Sequence, residues 1–410
     1  MRISPSAIFL SVSAVRSLAF TLMATTSGVY AIREVGLDPL QLVLMGTVLE
    51  GAYLLFELPT GVLADGYSRR WSVIIGAFLG GGGFILWGAV PVFEMILVAN
   101  VIWALAEAFT SGAWEAWITD EVGEAAAAPL YLRASQVRLV AGLIGLPLAI
   151  FFALMSLQLP FIIAGSILIA VGIFLVFAMG ESFQPARGAG SGVLSVLRST
   201  TRETVRAFTG RRLLLLLLVT AMLFGAASEG FDRLGVAIWL QQLTLPELAG
   251  LDPIAWFAVF GAGGTLIGLG VMEILRRRVD VVSERGIAIA LIMVTAVLAV
   301  AMAVFGLSEL FWLSLVAMWV ARSMRTAYAP LFLAWINREL DPQIRATVIS
   351  AFGQGDAVGQ VSMGPIIGWI GVARSLSAAI VTSAAFLVPS IGIFAGTLAR
   401  RGDGTEDASQ

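Results

Sequence analysis

Histidine, cysteine and lysine are all missing from this 410-residue chain. Without cysteine there is no disulfide, no thiolate chemistry and no cysteine metal site. Without histidine, no imidazole can carry a proton near neutral pH. All 25 basic residues are arginine, which stays charged at any accessible pH, so aspartate and glutamate are the remaining proton carriers. Charge itself is scarce, at 13% of residues against about 25% in a soluble domain. The net charge of −2 comes with no basic domain, which excludes a nucleic-acid partner. Two glycine runs fail as nucleotide sites. Gly80 to Gly83 is followed by no Lys-Ser/Thr, and Gly261-Ala-Gly263-Gly264 lacks the last glycine of a dinucleotide fingerprint. No cofactor and no metal are expected, so any work the protein does must draw on an ion or substrate gradient.

What the chain has in excess is apolar length: 59% of its residues are hydrophobic and its mean hydropathy is +0.93. A helix needs about 20 apolar residues to cross a bilayer. The expected fold is therefore an all-α integral membrane protein of about twelve spanning helices. Hydropathy places them near 7–31, 41–63, 71–90, 94–119, 134–154 and 160–180, then near 213–240, 254–275, 286–306, 310–335, 346–370 and 375–399. The first run carries Arg16 at its middle and is long enough to span, so it is taken as helix one and not a cleavable leader. The halves 1–180 and 213–399 are joined by a polar linker, 181–212, and followed by a polar tail, 400–410. In the linker Arg198, Arg202 and Arg206 recur every four residues, with Leu194, Leu197, Val205 and Phe208 on the other side. That pattern suits an amphipathic helix on the membrane surface.

Arginine placement sets the orientation. Twelve spans put Arg69, Arg70, Arg133, the linker arginines, Arg276 to Arg278, Arg285, Arg338, Arg345, Arg400 and Arg401 on one side, with Arg33 and Arg374 opposite. By the positive-inside rule both termini are cytoplasmic, in a plasma (inner) membrane. The halves also echo each other. Ala116-Trp117-Ile118-Thr119-Asp120-Glu121 closes span four, and Ala334-Trp335-Ile336-Asn337-Arg338-Glu339 closes span ten. Leu132-Arg133-Ala134-Ser135 and Ile344-Arg345-Ala346-Thr347 follow at the next hairpin. The spans run in the same direction, which makes a parallel repeat of six plus six helices.

Ionised side chains inside a span cost about 2.5–3.5 kcal/mol each on insertion scales. The acids there are Glu50, Glu57, Glu107, Glu115, Glu229, Asp232 and Asp356, and the arginines are Arg16, Arg233, Arg322 and Arg325. Structural pairing explains part of the set, Arg16 with Glu50 or Glu107, and Arg322 or Arg325 with Asp356. Acids in excess of arginines remain available to bind protons. Ser111 stands four residues and Trp114 seven after Glu107, on one face of a continuous helix, with Trp114 as an aromatic contact for a flat organic molecule. Core or interface packing is the plainer role for Trp117 and Trp335.

The most specific stretch is Gly61-Val-Leu-Ala-Asp65-Gly-Tyr-Ser-Arg69-Arg70, a charged turn between two apolar runs. It resembles the signature loop between helices two and three of the major facilitator superfamily, G-x-L-A-D-x-x-x-R-R/K, and keeps every one of those positions. Around Gly270 to Arg278 a second copy keeps the arginines and loses the Asp. Phe56-Glu57-Leu58-Pro59-Thr60-Gly61 and the run from Thr110 to Glu121 further resemble bacterial drug:proton antiporters of the macrolide and tetracycline efflux type. The glycines and proline of Gly142-Leu-Ile-Gly145-Leu-Pro147 do not keep the spacing of the antiporter motif on helix five, so that motif does not carry over the direction of exchange.

The resemblance implies a secondary transporter whose helices 1, 4, 7 and 10 line a central path. On that carry-over Gly61, Asp65, Arg69 and Arg70 form the gating loop. Glu107, Glu229, Asp232 and Glu50 are candidates for proton coupling, and Arg16, Trp114, Arg233, Arg322, Arg325 and Asp356 for the substrate cavity. The expected partners are a small molecule, protons and the lipid bilayer, with the chain acting as a monomer. Two functions stay open: proton-coupled export of an amphipathic organic compound, and uptake or exchange of an organic anion. A sensor or enzyme on the same scaffold finds no catalytic constellation to support it.

Overall fold

The computed structural model describes residues 3–182, 202, 204–248, 250–279, 283–340 and 345–406. They form helices and no strand. The helices are α1 (Pro5–Arg33), α2 (Pro39–Gly66), α3 (Arg69–Ala89), α4 (Phe93–Thr110), α5 (Ala113–Val122), α6 (Glu124–Met155) and α7 (Leu159–Ala178), then α8 (Arg212–Ala237), α9 (Trp256–Arg278), α10 (Glu284–Leu307), α11 (Phe311–Glu339), α12 (Arg345–Ala373), α13 (Leu376–Ala385) and α14 (Val388–Glu406). Among them, 10 helical stretches are long and apolar enough to cross a membrane, with α4–α5 and α13–α14 each counted as one. The spans expected tenth and eleventh are α11 and α12, each 29 residues long. Arg322 and Arg325 in the first, and Gln354, Asp356 and Gln360 in the second, dilute their hydropathy.

The chain forms two compact units. Met1–Leu37, Val48–Ser199 and Glu247–Ala258 make the first, and Asp38–Thr47, Thr200–Pro246 and Val259–Gln410 the second. The first turns of α2 thus group with the second unit and the segment before α9 with the first.

Small residues set the packing within each unit. In a membrane, helices gain little from the hydrophobic effect against each other, so close backbone approach must supply the contact. In the first unit, Gly81 on α3 and Gly165 on α7 each face the other's carbonyl oxygen, and Gly142 and Gly145 on α6 lie against Thr21 of α1. In the second, a Cβ at Gly225 on α8 would collide with the Asp356 carbonyl, and one at Gly359 on α12 with the Met222 carbonyl. Gly263, Gly264 and Gly268 on α9 receive Trp319, Arg322 and Thr326 of α11, which is the close packing their spacing implies. The segment at Leu40 and Val43 rests on Gly368 of α12, and Thr47 on Gly364.

Several local expectations change. The fourth span is not one continuous helix. It breaks at Gly112, whose φ of +72° belongs to the left-handed region open to glycine. The hairpin after it shrinks to Gly123, φ +82°, which both ends α5 and starts α6. A run of alanines then carries α6 ten residues beyond the expected start, so Arg133 lies inside a helix and not in a loop. Most of the linker, Arg198 included, lies outside the described residues. Its described end is helical over 204–208, with Phe208 buried against Phe352 of the second unit's core and Val205 exposed. The stretch expected as a polar tail continues the last helix to Glu406. The two repeat tryptophans are both buried. Trp117 donates to the Gly180 carbonyl at 2.8 Å, just after α7, while Trp335 packs on Phe394 of α14.

Candidate transport site and its family

The charged turn is held from three sides. Arg69 forms ion pairs with Asp65, at 3.2 Å, and with Asp120 at the end of α5. Arg70 donates to the Val176 carbonyl at 2.6 Å, and its backbone N–H to Glu181 at 3.0 Å. Ser68 donates to the other Glu181 oxygen at 2.7 Å and caps α3 by accepting from the Trp71 N–H. Gly61 has open space where a Cβ would stand, so nothing within the described contacts demands a glycine there. Asp65 keeps 72% of its side chain exposed and Asp120 27%. Exposed pairs contribute about 0–1 kcal/mol, and more shielded charged hydrogen bonds about 1.5–3 kcal/mol. Asp120→Asn is therefore expected to lower the thermal midpoint of the detergent-solubilised protein several-fold more than Asp65→Asn. An equal shift for both would contradict the ranking.

Beyond the turn, the first unit holds an open cavity of about 560 Å³. Arg16 of α1 and Glu107 of α4 line it and form an ion pair at 3.7 Å, long for a charge-assisted contact. Trp103, which packs against Phe20 at 6.0 Å, adds an aromatic wall. Trp114 also reaches the cavity, but its position has a different cause from the one expected. The break at Gly112 separates it from the Glu107 helix, and it is 3% exposed, stacked between Phe9 (5.1 Å) and Trp117 (5.2 Å). Its indole donates to Ser13 Oγ at 3.2 Å.

Sequence reasoning passed over two lining residues. Tyr53 of α2 donates to Ser111 Oγ at 3.2 Å, one helical turn after half-buried Glu50 and one before Glu57. A polar ring at this position of an apolar span was a usable signal. Arg138 of α6 is a fifth intramembrane arginine, inside the expected span 134–154. Its backbone carbonyl accepts from Ser17, which brings it beside Arg16.

The second unit holds the other charges. Arg325 grips Asp232 with two hydrogen bonds, 2.5 and 2.8 Å, and donates to Ser228 at 3.1 Å. Its guanidinium also lies over the rings of Phe224 and Phe231, 5.9 and 5.8 Å from their centroids. Glu229, 1% exposed, pairs with Arg233 at 3.5 Å. Asp356 accepts from Gln360 at 2.8 Å and forms no ion pair within 4.0 Å among the described residues, so in place of the expected pairing Arg325 takes Asp232 as its partner. Arg322 makes no ion pair within 4.0 Å among the described residues and rests against Gly264. Glu107 and Arg325 each find a partner inside their own unit, Arg16 and Asp232. In the second copy of the turn, Glu273 takes the acidic role, bonded to Arg276 at 2.7 Å and Arg277 at 2.6 Å.

A sequence model described as Major Facilitator Superfamily matches residues 9–362. The chain belongs to the major facilitator superfamily. The uncharacterized MFS-type transporter YxaM of Bacillus subtilis (strain 168) is 25% identical over 394 residues, covering 94% of each chain. Among solved structures, the nucleoside transporter NupG superposes with a TM-score of 0.75 at 14% identity, over 96% of this chain and 99% of that one. A POT family transporter in complex with a thioalcohol-conjugated peptide gives 0.75 at 12%, over 97% and 96%. A bacterial homolog of the human lysosomal transporter Spinster, in an inward-facing and occupied conformation, gives 0.69 at 15%, over 96% of each chain. These likenesses establish the fold. This superfamily member is a multi-pass membrane transporter of a small molecule and not an enzyme.

Proposed function

We propose that this transporter exports an amphipathic, drug-like organic compound in exchange for protons, by alternating access of its two halves. It acts as a monomer in the plasma membrane with both termini in the cytoplasm. The observation that carries this is the loose Arg16–Glu107 pair on an aromatic-walled cavity of about 560 Å³. Small-molecule sites run to about 300–1,000 Å³, mostly apolar with a few convergent polar groups. An exchanger needs a group that takes either a proton or the substrate. Glu107, half-exposed to the cavity and held by one long contact, can release Arg16 and do either. Glu229 and Asp232 are its candidate partners in the other half, with Glu50 beside Tyr53 as a further proton site. The turn at Asp65, Arg69 and Arg70 would lock the cytoplasmic side in one state of the cycle. Similar folds are named for nucleosides and peptides, which are polar organic molecules, and this fits the charge in the cavity.

The test is proton flux from inside-out vesicles holding an acid-inside gradient, with tetracyclines, macrolides, cationic dyes and organic anions added in turn. Proton release on addition of a compound identifies substrate and coupling together. If no compound on the panel moves protons, the antiport reading fails.

Arg322 motivates a second reading, uptake or exchange of an organic anion, because it lacks an ion-pair partner among the described residues. Arginine suits carboxylates and phosphates through its planar donor fork. On this reading Arg322→Gln abolishes uptake of a labelled organic anion and leaves drug susceptibility unchanged. Normal uptake in that variant removes the reading.

A further inference from the structure

The cavity in the first unit carries four charged side chains, and only two of them pair. Besides Arg16 and Glu107 it is lined by Arg138 and Glu115. The Arg138 guanidinium donates to Ser135 Oγ at 3.2 Å, and the backbone carbonyl of Glu115 accepts from Thr119 and Tyr131. Neither side chain makes an ion pair among the described residues.

Their placement is ordered by sign. Both arginines stand on α1 and α6, which are tied together by the Ser17 hydroxyl donating to the Arg138 carbonyl at 2.8 Å. Both acids stand on α4 and α5, either side of the Gly112 break. Trp103 and Phe20 bridge the two sides with their rings. The site is therefore neutral in sum and dipolar in layout.

A simple cation bound there would face Arg138 with a like charge and no counter-charge, and a simple anion would face Glu115 in the same way. The cavity is open to water before a ligand enters, and a charge that the ligand covers without compensating loses that hydration at a cost. A ligand bearing both signs avoids both penalties. It also replaces the long Arg16–Glu107 contact with two shorter ones, since each partner gains a group that can move into hydrogen-bonding range.

We propose that this cavity binds a zwitterionic organic compound, a flat ring system carrying a carboxylate held by Arg138 and Arg16 and an ammonium held by Glu107 and Glu115. The inference rests on taking the cavity as the transport site. It also explains how a proton and the substrate exclude each other, because a protonated Glu107 no longer attracts the ammonium.

The test is calorimetric titration of the detergent-solubilised full chain, without any gradient, with three compounds on one scaffold. These are 4-(piperazin-1-yl)benzoic acid, its methyl ester, which is only a cation, and its N-acetyl derivative, which is only an anion. The zwitterion is expected to bind about tenfold or more tighter than either relative, the scale of loss when a site's charged group is left without its partner. Arg138→Gln should narrow the gap between zwitterion and ester, and Glu115→Gln the gap between zwitterion and N-acetyl compound. Equal or tighter binding of the ester or the N-acetyl compound, or no binding of any of the three at millimolar concentration, overturns the proposal. Zwitterion selectivity without proton release in vesicles would leave the substrate class standing and remove the coupling alone. Proton release driven best by cationic compounds would do the reverse.

Discussion

Under the proposed proton exchange, Glu107→Gln should reduce substrate-driven proton release from inside-out vesicles to background, about 100-fold below the unaltered protein, while the protein still folds and reaches the membrane. Glutamine keeps the shape and hydrogen-bonding capacity of glutamate but cannot take up a proton and hold it. Glu107 is the acid for which this matters because it lines the cavity, is half-exposed, and is tied by a single 3.7 Å contact to Arg16. Asp232 offers a contrast. Its carboxylate is fixed by two short bonds to Arg325, which also binds Ser228, and releasing it means breaking all of these together. Asp232 is itself 44% exposed, so the contrast with Glu107 lies in the bonding: each hydrogen bond to a charged group is worth about 1.5–3 kcal/mol, and several must go at once. The loose pair is suited to switching and the tight one to holding helices in place. Glu107→Gln protein that still pumps against a gradient would remove Glu107 from the mechanism, and an Asp232→Asn protein tested beside it would then show whether the second unit carries the proton.

Gly359→Val should strongly destabilise the second unit, lowering stability by about 3 kcal/mol through overpacking. The reason is reciprocal. Gly359 on α12 faces the carbonyl of Met222 on α8, and Gly225 on α8 faces the carbonyl of Asp356 on α12. Both obstacles are backbone atoms, which cannot rotate aside as a side chain end can. A Cβ at either position pushes the two helices apart along the whole crossing, and with them Glu229, Asp232 and Asp356. Gly82 on α3 is the control, with nothing within 4 Å of a built Cβ. There Gly82→Ala should be neutral or gain up to about 1 kcal/mol from helix propensity. Thermal unfolding of the detergent-solubilised proteins measures both. A Gly359→Val midpoint equal to that of Gly82→Ala would show that the crossing relaxes freely.

Much of the molecule was legible in one dimension. Spans are local features, because about 20 apolar residues in a row settle the matter without reference to the rest of the chain. The ends of α1, α3 and α7 accordingly fall within a few residues of the expected ones. The turn at Gly61 to Arg70 was equally plain, since its chemistry is carried by neighbours in sequence. The partners of that turn were not. Asp120 and Glu181 reach it only because α5 and the end of α7 come back to the same place. The break at Gly112 was hidden for another reason. Glycine is common inside membrane helices as a packing residue, so its presence does not say whether the backbone will turn left-handed there.

The amino-acid order alone determined the membrane class, the approximate positions of the spans, the superfamily signature and the exclusion of histidine and cysteine chemistry. Only the tertiary structure decided which charges meet: Arg16 with Glu107, Arg325 with Asp232 in place of Asp356, Arg69 with Asp120, and Arg138 and Tyr53 on the cavity. The physical reason is that hydropathy is a sum over neighbours along the chain, whereas an ion pair depends on how far each helix is rotated about its axis and how closely it approaches the next. Those two quantities are set by glycine contacts between distant segments, such as Gly225 against Asp356 and Gly81 against Gly165.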